Sequence, residues 1–425
     1  MLSTQHTRLG ASTTYLILGG ASSFFFTLIV TVNLIYQQQV AHLNPLQLVL
    51  VGTVLETTAF FTQVPTGALA DVYSRRLAVI IGIVLVGAGF LLEGAIARFS
   101  TILLAQVIWG VGITFVEGAD SAWIADEIGD APLGPLFVRA SQIGQIASLV
   151  GIPLSVALAS IRLNLPILLG GLLYLLLGVF LLIAMPEQGF KPAPREERSS
   201  WRAMADTTRA AARLIRRRPL LLTLLGVTVL FAMYSEGYDR LWMATLLTNF
   251  SFPALGTLKP VVWFGVIAAV SALLGIGGSE LVRRWLDMTD HRRVAHTLLV
   301  LNALLCASVI AFGLAGNFWL ALAAILAASV FRRMGGPVFH VWQTQSIENP
   351  QVRATVLSFN GQVDAFGQIA GGPVLGAIGT LVSLRAALVV AGSILAPALL
   401  LFVQAGRQVK TAQAPAEEVI VTAER

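Results

Sequence analysis

The chain has 425 residues, of which 56% are hydrophobic and 12% charged, against about 25% charged in an ordinary soluble domain. This is the composition of a protein that lies mostly within a bilayer, and its net charge of +6 does not indicate nucleic acid, because the positive residues sit in short loops rather than along a basic groove. The single cysteine, Cys306, lies in an apolar run, which excludes an intrachain disulfide and argues against metal or thiol chemistry.

A bilayer core about 30 Å thick takes about 20 apolar residues per helix. Breaking the chain at Pro, Gly and charge clusters predicts twelve such spans. The first, 13–39, runs too far to be the apolar stretch of a cleaved signal peptide and is read as a retained helix. It is followed by 46–70, 77–98, 101–127, 137–161 and 164–185, then by 219–248, 256–282, 294–315, 317–345, 353–380 and 383–405. Runs of this length call for helices rather than barrel strands, which need only about ten alternating residues.

With both termini inside, 21 of the 28 Lys and Arg residues fall on the cytoplasmic side. Four, Arg98, Arg162, Lys259 and Arg385, fall outside, and three, Arg240, Arg332 and Arg333, lie within spans. This asymmetry obeys the positive-inside rule, and the expected location is the cell's inner (plasma) membrane. The polar stretch from Pro186 to Pro219 separates two six-span halves, 1–185 and 219–405, with a linker at 186–218 and a cytoplasmic tail at 406–425. Within the linker, Trp201, Met204, Thr208, Ala211, Ala212 and Ile215 share one helical face, and Arg202, Arg209, Arg213 and Arg216 another. Such a basic amphipathic helix suits the anionic inner leaflet, and a solvated linker is the plainer reading.

Spans 6, 9 and 12 carry no charge in their interiors, and span 3 only Glu93, so these four are expected to face lipid. Intramembrane charges gather on span 4 (Glu117, Asp120), span 7 (Glu236, Asp239, Arg240) and span 10 (Arg332, Arg333), with Glu56 on span 2 and Asp364 on span 11. Each would cost about 2.5 to 3.5 kcal/mol at a lipid-facing helix centre, so they should line a wet cavity or pair with one another. Helical spacing places Glu117 with Asp120, and Glu236 with Asp239 and Arg240, on single faces. Arg332, Gly336, His340 and Gln343 form a further polar stripe. The two acids of span 4 are suited to pair with the two arginines of span 10, and Asp239 to neutralise Arg240; structural ion pairs are the competing reading. Trp109, Phe115, Trp123, Tyr234, Tyr238, Trp242 and Trp342 offer aromatic surface on the same spans, or packing.

No nucleophile and base stand in a recognisable motif, no phosphate-binding glycine loop is present, and no His or Cys cluster has metal-ligand spacing. Enzymatic activity is therefore not expected. "GIGGSE" at Gly275 to Glu280 lies in a span, where small residues permit close helix packing.

At "GALADVYSRR" the chain resembles the signature loop between spans 2 and 3 of the major facilitator superfamily, roughly G-x-L-a-D-r-x-G-r-k. Gly67, Leu69, Asp71, Arg75 and Arg76 match; Val72 and Ser74 depart from it. The resemblance covers about residues 13–405 and implies an all-α membrane fold of twelve transmembrane helices in two six-helix bundles, with inverted repeats and a midplane substrate site between them. It also implies that spans 1, 4, 7 and 10 line the cavity and that an acid near the end of span 4, Asp126 or Glu127, approaches the loop. Gly67, Asp71, Arg75, Arg76 and Asp126 then form a gate: Gly67 lets helices approach, Asp71 meets the positive end of span 11, and an arginine pairs with Asp126.

Among the subgroups the chain is most similar to the proton-coupled drug exporters, although Gln106 stands where an exporter arginine belongs on span 4. Only Gly151 and Pro153 remain of the exporter motif on span 5, and "GQIAGGPVLGAIG" on span 11 is its nearest likeness. The expectation is alternating access with proton-coupled efflux of hydrophobic or cationic drug-like compounds. Asp120 and Glu117 lead the candidates for coupling, then Glu236 and Asp239, then Asp364 and Glu56, while Arg332 and Arg333 orient anionic groups or hold acids ionised. The alternatives are transport of a defined metabolite, such as a sugar, siderophore or lipid-like compound, and a non-transporting membrane receptor. The expected partners are a small-molecule substrate, protons and the lipid bilayer, without nucleic acid. No cofactor is expected beyond the proton gradient as energy source, and a monomer is the family default.

Overall fold

A computed structural model describes residues 9–192, 206, 209, 212, 213, 215, 216, 218–254, 256, 258–347 and 350–423. Its elements are helices: α1 (Ala11–Gln39), α2 (Pro45–Val72), α3 (Arg75–Ala95), α4 (Phe99–Val116), α5 (Ala119–Ile128), α6 (Leu133–Ile161), α7 (Leu165–Ala184), α8 (Pro219–Asn249), α9 (Val261–Trp285), α10 (His291–Leu314), α11 (Phe318–Gln345), α12 (Pro350–Leu381) and α13 (Leu384–Ala423). The all-α membrane fold expected from the sequence is present. With α4 and α5 taken as one span, eleven of these helices are long and apolar enough to cross a bilayer among the described residues. The predicted span 353–380 is the helix α12, but Gln351, Arg353, Asn360, Gln362, Asp364 and Gln368 make it more polar than the rest. The last helix continues beyond the predicted 405 to Ala423.

Polar side chains at the loop exits start several of these helices. Asn44 accepts from Gln47 N at 2.9 Å while Gln47 returns a side-chain acceptor to Asn44 N at 3.0 Å, and Pro45 follows at the first helical position. This is a complete capping box. Asp290 caps α10 through Arg292 N (3.1 Å) and Arg293 N (3.0 Å), and Asn317 caps α11 through Leu320 N (2.9 Å). In the loop before α10, the hydroxyl and N–H of Thr289 hold the Asp287 carboxyl below its usual range.

The chain divides into two compact units, Met1–Met204 with Ala254–Ala269, and Ala205–Pro253 with Val270–Arg425. In the first unit α3 runs between α4 and α7 at backbone contact. A Cβ on Gly82 would lie 2.5 Å from Gly112 O, and one on Gly112 would lie 2.9 Å from Gly82 O. Such close approach gives the van der Waals contact that holds helices together where lipid removes the hydrophobic drive. The threonines of α2 satisfy themselves against the preceding turn, and Thr66 also donates to Thr114 O of α4 at 3.0 Å. In the second unit Leu224 and Val227 of α8, Leu298 of α10, Trp342 of α11 and Phe402 of α13 form the core.

Span 3, one of the four spans expected to face lipid, carries its acid on an inner face. Glu93 is fully buried, its two oxygens accepting from Gln37 Nε2 (2.7 Å) and Gln106 Nε2 (3.0 Å), while its carbonyl accepts from Tyr36 (2.8 Å). A carboxylate is retained there because neighbouring carboxamides supply donors. Span 6 does present an outward stripe in α7: Leu172, Leu176, Val179 and Ile183 are each about half exposed or more. Of the linker face, Trp201, Met204, Thr208 and Ala211, together with Arg202, lie outside the described residues. Residues 206, 209, 212, 213, 215 and 216 are helical, with Arg209, Arg213 and Arg216 exposed. Ile215 packs on Leu221, Ile347 and Val356, so at that point the apolar face meets protein rather than a leaflet.

Candidate functional site

The fourth span is not one helix. Glu117 leaves helical geometry at φ −57° and ψ 122°, and Gly118 takes φ +79° before α5 begins. That left-handed conformation is accessible to glycine and costly for residues with a Cβ. Glu117 N still closes α4 onto Ile113 O at 2.9 Å, and Ala122 N opens α5 onto Gly118 O at 3.0 Å. Glu117 therefore stands at the C-terminal end of one helix and Asp120 in the first turn of the next, where helix amides favour negative charge. Asp120 Oδ1 accepts from Ser121 N at 2.6 Å. The expected continuous helix over 101–127, with both acids on one face, is corrected: the glycine turn separates them. Within the first unit, among the described residues, neither acid has an arginine or lysine partner. Arg332, expected as a partner, is held by Asp239.

In the second unit the charges of α8 pair by helical geometry. Arg240 Nε reaches Glu236 Oε1 at 3.0 Å, an i, i+4 contact. Asp239 takes Arg332 of α11 in a two-point pair, Nη1 to Oδ1 at 2.5 Å and Nη2 to Oδ2 at 2.8 Å. The expected neutralisation of Arg240 by Asp239 does not occur because adjacent residues point about 100° apart on a helix, whereas i and i+4 share a face. Arg332 also lies over the Tyr234 ring at 5.8 Å, within cation–π range. Arg333 points the other way, its aliphatic stem against Gly275 of α9, and Gly278 receives Met334. The glycine-rich run of α9 thus makes room for side chains of α11.

A cavity of about 480 Å³ lies within the second unit, and all four residues of the predicted stripe, Arg332, Gly336, His340 and Gln343, line it. Asn360 Oδ1 on its wall accepts from Thr228 Oγ1 and from Gln343 Nε2, both at 2.8 Å. Asp364, also lining it, accepts from Gln368 Nε2 at 2.8 Å. Most of the remaining wall is apolar, with Phe231, Phe331, Phe339 and Phe402. The expected aromatic surface is corrected here: Trp123, Tyr234 and Trp342 are buried in helix packing, and the cavity uses phenylalanines instead.

At the end of α2 the signature loop forms a closed network within the first unit. Arg75 Nη1 donates to Asp126 Oδ2 at 2.5 Å and to Ala122 O at 3.1 Å, while its Nη2 lies 3.5 Å from Asp71 Oδ1. Ser74 caps α3 by accepting from Leu77 N at 2.9 Å and donates to Glu187, whose Oε1 also accepts from Arg76 N at 3.0 Å. Arg76 Nη2 donates to Leu182 O at 2.6 Å. Beyond α7, Trp123 Nε1 donates to Pro186 O at 2.7 Å, and Glu127 Oε1 accepts from Gln188 N (2.6 Å) and Gly189 N (2.7 Å). A Cβ on Gly67 would meet nothing within 4 Å, so in this structure that glycine makes no close helix approach, contrary to expectation. Glu56 is partly buried midway along α2.

Glu187, Ser74, Thr228, Asn302 and Asn360 were not singled out from the sequence. An acid directly after an apolar span, as in "PEQG", was the available signal for Glu187, which follows the end of α7. Uncharged amides within spans carry no comparable signal.

An array of long apolar helices with paired and unpaired charges at mid-span is the architecture of a membrane transporter. Residues 15–347 match the family described as the Major Facilitator Superfamily, and the chain belongs to that family. It is 25% identical over 136 residues to "Uncharacterized MFS-type transporter YxaM" of Bacillus subtilis (strain 168), covering 32% of this chain and 34% of that relative's length. Among solved structures, the nucleoside transporter NupG is 14% identical with a TM-score of 0.74, covering 93% of this chain and 99% of that one. A POT family transporter in complex with 5-aminolevulinic acid is 13% identical with a TM-score of 0.72, covering 94% and 96%. A bacterial homolog of the human lysosomal transporter Spinster, inward-facing and unoccupied, has 14% identity and a TM-score of 0.69, covering 94% and 96%. At these identities the structures define a shared fold.

Proposed function

We propose that this transporter is a proton-coupled exporter of hydrophobic or cationic drug-like compounds, working by alternating access as a monomer in the inner (plasma) membrane with both termini cytoplasmic. The observation that carries this reading is the interrupted fourth span. A break in a membrane helix is tolerated where its freed backbone groups line a cavity or find partners, and such breaks mark ion and substrate sites. Here the break holds two carboxylates without a basic partner among the described residues, an arrangement in which each can gain and lose a proton. Glu236 and Asp239 already have arginine partners, which puts Glu117 and Asp120 first among the groups able to take up a proton or a cationic substrate, ahead of Asp364 and Glu56. The network of Asp71, Arg75, Arg76 and Asp126 serves as the gate.

A second reading, transport of a defined polar metabolite, is favoured by the hydrogen-bonded set Thr228, Asn360 and Gln343 on the cavity wall. Similar structures include proteins described as nucleoside and POT family transporters. Proteoliposomes with an imposed pH gradient separate the two. Gradient-driven movement of fluorescent cationic compounds, lost in Glu117→Gln and Asp120→Asn, is the expected result. Gradient-independent failure across the panel would sink the exporter reading, and full transport by both variants would sink the coupling assignment.

A further inference from the structure

The cavity of the second unit contains a recognition group that no contact of the protein explains. Asn302, on α10 beyond its charged first turn, is 3% exposed and lines the cavity, yet neither its Oδ1 nor its Nδ2 has a hydrogen-bond partner among the described residues. Buried carboxamides are normally satisfied, and leaving both atoms unpaired is costly. The sequence also withholds side chains from this space. Gly335 and Gly336 of α11 and Gly361 of α12 line the cavity, and a Cβ on any of them would meet nothing within 4 Å. Each has helical backbone, so neither close approach nor a positive φ accounts for it, and each weakens its helix relative to alanine. What the three glycines secure is open volume.

We infer that this cavity binds a planar, largely apolar molecule without negative charge that carries an adjacent hydrogen-bond donor and acceptor, such as a lactam or amide edge, read by Asn302. The ligand N–H donates to Asn302 Oδ1 and its carbonyl accepts from Nδ2. A carboxamide makes this two-point contact with any complementary flat edge, as asparagine does with adenine. The volume of about 480 Å³ lies within the usual range for small-molecule sites. Phenylalanines around it suit a flat ring system. An anion is disfavoured because Arg332 is already bound to Asp239, and the Asp364 carboxyl on the wall accepts only from the neutral Gln368 amide. The inference is independent of proton coupling at Glu117 and Asp120, which lie in the other unit.

The test uses the full-length protein in detergent, with 2-quinolone as probe and 1-methyl-2-quinolone as a control whose donor is blocked. Saturation-transfer NMR titrations should show saturable binding of 2-quinolone, with the methylated compound weaker by about tenfold or more, because a site built around a hydrogen bond rejects the analogue lacking it. Asn302→Leu should bind both compounds equally, and Gly336→Phe, which fills the cavity without touching Asn302 chemistry, should bind neither. Binding is read without a pH gradient and export only with one, so failure here and failure of the exporter reading are separable. Absence of saturable binding, equal affinity of the two compounds for the wild-type protein, or retained discrimination in Asn302→Leu would each overturn the proposal. If Asn302→Leu does not fold, undiminished binding by Gly336→Phe overturns it alone.

Discussion

Asp239 and Arg332, 93 residues apart, meet through two parallel hydrogen bonds of 2.5 and 2.8 Å that join α8 to α11. Planar two-point geometry of this kind belongs to the guanidinium and is not reproduced by lysine. Arg332→Lys should therefore destabilise the protein even though charge is conserved. The side chains are 36% and 45% exposed, so solvent screening holds the expected coupling in a double-mutant cycle with Asp239→Asn to about 1 kcal/mol. Thermal unfolding of the four detergent-solubilised proteins measures it, and a coupling of zero would reduce the pair to a chance contact.

Gly118→Ala should lower the melting temperature, because a Cβ at φ +79° costs about 1 to 2 kcal/mol. Transport should fall with it, since the turn sets where Glu117 and Asp120 stand. A neighbouring control, Gly134→Ala, sits where a Cβ meets nothing within 4 Å and has no positive φ. It should leave both quantities unchanged.

Neutralising the signature loop should separate binding from turnover. Asp71→Asn and Arg75→Gln are expected to lower transport while substrate binding persists, and Glu187→Gln should do the same by loosening Ser74 and Arg76. Tracer uptake and equilibrium binding on the same preparations decide this; binding lost together with transport in a folded variant would remove these residues from the gate.

Glu93→Ala should be more damaging than Glu93→Gln. Alanine leaves the buried amides of Gln37 and Gln106 without their acceptor, at a cost of about 1 to 3 kcal/mol for each group left unpaired, whereas glutamine keeps an acceptor and the volume. Expression level and unfolding temperature give the ranking, and equal effects would mean that volume rather than hydrogen bonding is what Glu93 supplies.

The sequence made the helix count, the topology and the charged spans legible because exclusion of charge from hydrocarbon is a strong and local rule. It made α7 readable as an apolar, charge-free helix, and its exposed stripe of Leu172, Leu176, Val179 and Ile183 agrees with that. Partner choice was less accessible: Arg332 of α11 pairs with Asp239 of α8, a matter of tertiary placement that spacing along one helix does not encode. The break at Gly118 was hidden because glycine in an apolar run reads equally as packing or as a turn. Asn302 left no trace, since one amide scarcely alters hydropathy, and the network of Glu93 was hidden because its carboxamide partners, Gln37 and Gln106, belong to other helices.

The ten residues of α5 are bounded by left-handed glycines at both ends, Gly118 at φ +79° and Gly129 at φ +73°. Between these two joints the segment is a short rod with attachments along its length. Asp126 and Ala122 hold Arg75, Trp123 holds Pro186, and Glu127 holds the backbone of Gln188 and Gly189. A change in charge or occupancy at the Glu117–Asp120 end that tilts this rod cannot remain local. It must either stretch five hydrogen bonds or carry the signature loop and the first residues of the linker along with it, which makes α5 a lever connecting the acid pair to the strand of chain that leaves the first unit.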